Sequence, residues 1–333
     1  RALEVEAIDP HTVRFRLPVA DRGFPLNGSL IFPRHVLARY VEDGTLAQRW
    51  GVGTPPEEII GTGPFRIERY VHGERLVLRR NPTYWRRDEA GNRLPYLDRI
   101  VFVVMPNEDQ RALAMRAGEI DLFRFAPARY ADMKAGEAEG GYAVYGTGYD
   151  TIPAFLFFNQ NAGRGEDGEP FVAPYKLAWF RDRRFRQAVA HAVDRRSMID
   201  NLFGGLGAPI YTPVTPGDAF HYNDGVEKYP YDLDRSRALL EEMGLRDRDG
   251  DGVREDAEGR SVEITLMTYG KVNGGEGAAL ILQEDLARVG VRMSVRMVEY
   301  SDTSRILTRE PRWELFVMRW FLGTDPQGMD GIW

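Results

Sequence analysis

The chain has 333 residues, room for two domains at roughly 100 to 200 residues each, and at 43% hydrophobic and 28% charged it has the composition of a globular protein. A formal net charge of −6 supplies no global basic field to recruit nucleic acid, and the absence of cysteine excludes disulfides, thiolate catalysis and Cys-ligated metal sites. Only Lys134, Lys176, Lys228 and Lys271 are lysines, so the positive charge is almost wholly arginine, and no apolar run approaches the roughly 18 residues of a membrane span.

Ala2 to Leu17 reads as two strands around Asp9-Pro10, with Val13, Phe15 and Leu17 on one face; a chain that opens in mid-pattern implies a trimmed, longer precursor. A short helix is predicted near residues 33–40. Gly61, Gly63 and Pro64 make a turn, followed by strand-like runs at 65–70 and 76–80 that His72-Gly73 joins into a hairpin. The Asn81-Pro82 break leads to the aromatic pair Tyr84 and Trp85. A helix is predicted over 108–117, before the segment GEIDLF at 118–123. Ile152 to Asn159 is apolar throughout, which predicts a strand buried on both faces.

Phe185, Ala188, Val189, Ala192, Val193, Ile199 and Leu202 recur at three- and four-residue steps, predicting one long helix capped by Asp182 and stopped by Gly204-Gly205. A second helix ends at Gly244, with Leu239, Leu240 and Met243 facing inward. Beyond it, Val262, Ile264 and Leu266 alternate, Ile281, Leu282, Leu286 and Val289 are helical, and Val291, Met293, Val295 and Met297 alternate again: a βαβ unit with a right-handed crossover. A helix at 303–309 and a strand at 314–320 extend it. Strands 261–268, 291–298 and 314–320 are expected in one mostly parallel sheet.

Three ordered motifs lie between residues 61 and 103: GTGPF at Gly61, RNPTYW at Arg80 and GNRLPYLDRI at Gly91. Two more follow, RRFRQAVAHAVDRRSMI at Arg183 and YDLDRSRALLEEMG at Tyr231. In this order the string resembles the peptide-type extracellular solute-binding proteins of ABC importers (family 5), over almost the whole chain. The resemblance implies an α/β, two-lobed periplasmic-binding-protein-like fold (type II, large peptide-type class), truncated at both ends. Residues 1–62 would form part of lobe I (a small subdomain), 63–150 its sheet subdomain, and 151–333 an incomplete lobe II. It implies a periplasmic or extracellular monomer, free or lipid-anchored, that captures an oligopeptide and delivers it to an ABC permease, without a cofactor and without nucleic acid. Alternative readings are an oligosaccharide binder of the same family and a sensory module. A hydrolase has no support: the five histidines are scattered, and no HExxH, GxSxG, phosphate-loop or dinucleotide motif is present.

Ligands of open α/β sheets bind beyond the carboxyl ends of the strands. The 314–320 strand runs into Trp320, Phe321 and Asp325, and the resemblance makes these candidate solute contacts. Trp320 reads as a cleft aromatic or as core packing. Asp325 reads as the partner of a peptide ammonium or as an Asp-Pro turn, since Gly323 stands where peptide binders of the family carry the anchoring Asp. Asn159 resembles a cleft-side Asn of the family and reads equally as a turn residue. Tyr269 precedes Gly270, Gly274 and Gly275, a loop that opens a helix and suits either an anion or a plain turn.

Residues 247–258 fit a calcium loop, with Asp247, Asp249 and Asp251 at positions 1, 3 and 5, Gly252 at 6, the Val253 carbonyl at 7 and Glu258 at 12. Its place between a helix and a strand suits a solvated acidic turn as well. In either reading it is structural.

Overall fold

The computed structural model describes residues 3–21, 24, 32–51, 53–269, 275–309 and 311–319. The chain divides into two compact units, Arg1–Phe123 and Arg124–Trp333.

In the first unit, β1 (Glu4–Asp9) and β2 (Thr12–Arg16) pair antiparallel, with the Asp9 carboxylate accepting the His11 N–H at 2.7 Å in the turn. Helices α1 (Arg34–Glu42) and α2 (Leu46–Arg49) follow. Strands β3 (Phe65–Val71), β4 (Arg75–Arg80) and β5 (Arg99–Val103) form an antiparallel sheet, and α3 (Glu108–Arg116) is capped by Asn107. The predicted hairpin turn is present, with Gly73 at φ 71° and Glu74 N–H bonded to Val71 O.

The ordered motifs in this unit act as ties. Asn81, 1% exposed, donates from Nδ2 to Gly63 O at 2.8 Å and accepts both the N–H and the hydroxyl of Thr83, so GTGP and RNP are two ends of one knot. Asp88 accepts from Asn92 N, Asn92 Nδ2 and Tyr96 Oη within 2.9 Å, closing the loop around Gly91 at φ 84°. The Tyr96 hydroxyl, with Asn92, holds the Asp88 carboxyl below its ordinary pKa.

The second unit runs α4 (Tyr130–Ala135), α5 (Glu137–Gly140), β6 (Ala154–Phe158), α6 (Pro174–Arg181), α7 (Arg183–Ala192), α8 (Arg195–Phe203), α9 (Leu233–Glu242), β7 (Glu263–Tyr269), α10 (Gly275–Ala287), β8 (Arg292–Val298), α11 (Thr303–Thr308) and β9 (Leu315–Arg319). The strand order is β6-β9-β7-β8, with β7 parallel to both β8 and β9, and β6 antiparallel to β9. The three segments expected in one mostly parallel sheet are there. Alternation along β9 divides its side chains between two cores. Leu315 and Val317 join Ile264, Leu266, Phe185, Leu239 and Leu286 on one face; Phe316 and Met318 join Met267, Trp313 and Leu307 on the other.

Two expectations need correction. The strand at 152–159 lies at a sheet edge, and its side chains are half-buried rather than buried, although Phe158 and Phe157 do feed opposite cores. The single helix from Phe185 to Leu202 is two. Val193 and Asp194 leave helical backbone, and the Asp194 carboxylate caps α8 by accepting Ser197 N–H at 2.9 Å. The apolar stripe crosses the break because both helices face the same core, which periodicity alone cannot distinguish from continuity. Asp182 and Gly204 do bound the pair, as a capping carboxylate and a left-handed stop at φ 58°.

Asp285 of α10 holds the break in place, accepting Asp194 N–H at 3.0 Å while only 3% exposed. Burial pushes its carboxyl pKa up, the bond from Asp194 N–H only partly opposing this. A carboxyl whose folded pKa exceeds its unfolded value favours folding fully below the unfolded value, and that contribution is lost as pH rises through the folded one. Asp285→Asn, which keeps an acceptor without a charge, should therefore match or exceed the parent's stability at pH 7. Asp285→Ala strands the Asp194 N–H and should lower stability by about 1–3 kcal/mol. Urea unfolding at pH 7 and pH 4 reads both, and equal losses in the two variants would contradict the assignment.

Candidate functional site

The carboxyl ends of β7, β8 and β9 point the same way, so the loops after them form one end of the second unit's sheet. Tyr269 closes β7. Its hydroxyl donates to Arg319 O at 3.1 Å and accepts from Arg319 N at 3.3 Å, which fixes the last residue of β9 by both backbone groups. The Tyr300 ring, 70% exposed, meets Tyr269 edge-on at 5.1 Å. Because β6 is antiparallel, its amino end arrives here too. Arg319 Nη2 donates to Asp150 Oδ2 at 2.6 Å and to Ile152 O at 3.3 Å.

The 211–225 loop joins this end through Thr215, whose hydroxyl donates to Asp150 O at 2.6 Å. Gly217 lies so close that a Cβ there would stand 2.5 Å from Tyr149 O, so the approach needs glycine. The assembled surface carries an arginine–carboxylate pair and exposed faces of Tyr149 and Tyr300. It offers a polar anchor of either sign flanked by aromatic area, an arrangement suited to reversible capture.

Of the residues singled out by sequence, Tyr269 lies at this end. Trp320, Phe321 and Asp325 lie outside the described residues, as do Gly270 and Gly274. Asn159 is not brought to Tyr269. It follows the carboxyl end of β6, which pairs with the amino end of β9, at the opposite end of the strands. Its side chain is 3% exposed and bonded to main chain, Nδ2 donating to Pro311 O and Trp313 O at 2.7 Å and Oδ1 accepting Asn161 N–H. Asp150, Tyr300 and Arg319 were missed. No local motif marks them, and only the antiparallel pairing of β6 could have found Asp150.

In the acidic loop, Asp247, Asp249 and Asp251 converge as the spacing implies, each presenting an oxygen within 4.8 Å of the others. The fourth carboxylate is Glu255, not Glu258. Glu258 instead pairs with Arg260 at 2.6 Å, because the chain has by then turned into the Asp256–Arg260 tie that leads to β7. Asx-type bonds brace the loop, with Gly250 N–H and Gly252 N–H donating to Asp247 and Val253 N–H to Asp251.

A sequence model of the bacterial extracellular solute-binding proteins, family 5 Middle, matches residues 1–332. A probable ABC transporter-binding protein of Deinococcus radiodurans is 30% identical over 321 residues, 92% of this chain and 52% of the relative. The oligopeptide-binding protein AppA of Bacillus subtilis, solved in complex with a nonapeptide, superposes with a TM-score of 0.69 at 23% identity, covering 98% of this chain and 60% of AppA. The periplasmic binding protein MelB of Agrobacterium fabrum, solved in complex with stachyose, superposes with a TM-score of 0.70 at 24% identity, covering 95% of this chain and 49% of MelB. These structures share the fold of this chain, which spans about half the length of the curated relatives it matches.

The Tyr269 hydroxyl is the element of this end most easily tested. Tyr269→Phe keeps the ring against Tyr300 and removes both bonds to Arg319, so stability should fall by about 1 kcal/mol, read as a lower urea midpoint at unchanged slope. An unaltered midpoint would show that β9 does not need this tie.

Proposed function

The chain belongs to the bacterial extracellular solute-binding proteins of family 5, and on that premise we propose that it is part of the extracytoplasmic solute-binding component of an ABC importer. It captures an oligopeptide between two lobes and delivers it to the permease. Residues 1–62 and 63–150 contribute to lobe I and 151–333 to lobe II. Closure around the solute excludes water, which strengthens each polar contact. Binding rather than catalysis is the activity. Among the described residues no helix is long and apolar enough to cross a membrane.

The observation that carries this reading is the carboxyl end of the sheet, where Tyr269 holds the end of β9 and Arg319 meets Asp150. Asp150 and Arg319 are of the two signs that a zwitterionic peptide presents at its termini. Trp320, Phe321 and Asp325 come next in the chain, and in this proposal they line the cleft. An oligosaccharide is the second reading, favoured by the exposed Tyr149 and Tyr300 rings and by the stachyose in MelB.

Mass spectrometry of solute retained by the natural full-length protein identifies the class directly, and variants then test the contacts. Trp320→Ala should weaken solute binding about thirtyfold, the loss of a buried aromatic anchor being about 2 kcal/mol. Asp325→Asn should weaken peptide binding strongly, and N-acetylated peptides should bind the parent poorly. A small effect of Asp325→Asn together with binding of a neutral oligosaccharide would replace the peptide reading by the sugar one.

The loop at Asp247, Asp249, Asp251 and Glu255 is proposed as a weak structural calcium site, supported by the convergence of four carboxylates. Calcium with a dissociation constant on the order of 0.1–1 mM should raise the melting temperature by mass action, and Asp249→Ala should abolish the rise. No shift at about 10 mM calcium leaves the loop as a solvated acidic turn.

A further inference from the structure

The three-stranded sheet of the first unit carries charge of the opposite sign to the chain as a whole. Residues 65–103 hold nine arginines against five carboxylates, whereas the whole chain has a net charge of −6. Glu57 and Glu58, in the turn packed on β3, reduce this excess without cancelling it.

Strand register concentrates the charge. Arg66 of β3 lies directly opposite Arg79 of β4, and Arg79 directly opposite Arg99 of β5, so three arginines stand in one row across the sheet. Side chains so placed have Cβ atoms about 4.5–5.5 Å apart, and like charges directly opposite destabilise a sheet. Little within the chain relieves the row. Glu68 takes Arg99 in two bonds, at 2.9 and 3.0 Å. Arg66 has only the neutral Thr83 hydroxyl, 2.9 Å from its Nη2, and its Nε is buried without an acceptor. Among the described residues, the side chains of Arg69 and Arg79 have neither a hydrogen bond nor an ion pair. Arg75 and Arg80, the other arginines of β4, are paired with Glu74 and Asp98. The last two carboxylates of the segment form no ion pair with the row: Asp88 accepts from Asn92 and Tyr96, and Glu89 is exposed in the same loop.

We propose that this face of the β3-β4-β5 sheet is a docking surface for an anionic membrane, where the row from Arg66 to Arg99, with Arg69 beside it, meets lipid phosphates. A sheet face is broad and open, which suits an extended anionic surface better than an enclosed small ion. A guanidinium bonds a phosphate through paired, parallel N–H donors. On β5 the same face continues from Arg99 through Val101 and Val103, both exposed, because alternate residues of a strand share a face. Apolar side chains beside phosphate-binding arginines match the boundary between headgroups and acyl chains. The choice of a membrane rests on the importer reading, which places the chain beside one; the unneutralised row does not.

Co-sedimentation of the chain, carrying no lipid modification, with vesicles at low ionic strength tests it. Vesicles of phosphatidylglycerol mixed with phosphatidylcholine should retain the chain and those of phosphatidylcholine alone should not, with retention falling as salt is added. Each basic residue near an anionic surface contributes about a fivefold gain in binding. Arg79→Ala and Arg69→Ala break no side-chain bond within the chain, so each should weaken binding by about fivefold, and Arg79→Glu by more. Arg183→Ala removes an exposed arginine of the second unit that pairs with Glu227, and it should bind as the parent does. No retention by the anionic vesicles overturns the proposal, as do equal retention by both kinds, parental binding in both alanine variants of the sheet, or a loss of the same size in Arg183→Ala. Capture by poly-L-glutamate without capture by the vesicles also overturns it, in favour of an acidic protein partner. Solute binding is read separately, from the solute retained by the full-length protein, so failure here leaves the importer reading standing.

Discussion

The pairing of β9 between β6 and β7 is the constraint on which the second unit depends. Leu315 and Phe316, both fully buried, feed different cores, so one five-residue strand joins the helices on one face to the Trp313 cluster on the other. Its amino end is held by Glu314, whose carboxylate accepts from Lys176 Nζ and from Thr265 N at 2.7 Å each. Its carboxyl end is held by the Tyr269 hydroxyl. Burying a large apolar side chain is worth about 1.5–3 kcal/mol, whereas an exposed ion pair is worth about 0–1. The cores therefore decide where β9 sits, and the Arg319–Asp150 pair is a consequence of that placement. Since β6 pairs with β9 across more than 150 residues of chain, the contact also carries a large loop-closure cost, repaid only when the intervening helices are packed.

Polar residues of the motifs that identify the family in sequence act as structural ties. Asn81 and Asp88 each gather several donors or acceptors from short loops, and both are polar groups that a substitution would leave with unmet partners. Such knots constrain substitution because their hydrogen bonds have fixed geometry. A family can thus be recognised from its scaffold while its ligand is not.

The predominance of arginine over lysine has a structural use in this chain. Arg184, Arg186, Arg195, Arg237 and Arg254 donate to backbone carbonyls at helix ends or breaks. Arg195 and Arg254 each reach more than one such oxygen at once. A guanidinium presents five N–H donors in a plane, which a compact ammonium cannot imitate. Burial lowers the basicity of Arg195, yet its charge is accepted because carbonyl dipoles and the Tyr211 ring face it.

Sequence alone determined the hairpin at 65–80 and the parallel βαβ unit, because both follow from local periodicity and turn chemistry, while α4, α5 and α6 carried no such signal. Val262 to Met297 could be read in order, as could the capping roles of Asp182 and Gly204. It also determined that Asp247, Asp249 and Asp251 share one loop, since their spacing is local. What periodicity could not show was the break at Val193-Asp194, where Asp285 from another helix supplies the partner. It could not show that Glu255 rather than Glu258 completes the acidic cluster, a matter of where the chain turns. Nor could it orient β6. An apolar run of five residues reads the same in both directions, yet antiparallel pairing sends Asn159 to one end of the strands and Asp150 to the other. Strand direction is set by long-range pairing and core volume, and only the tertiary structure decides those.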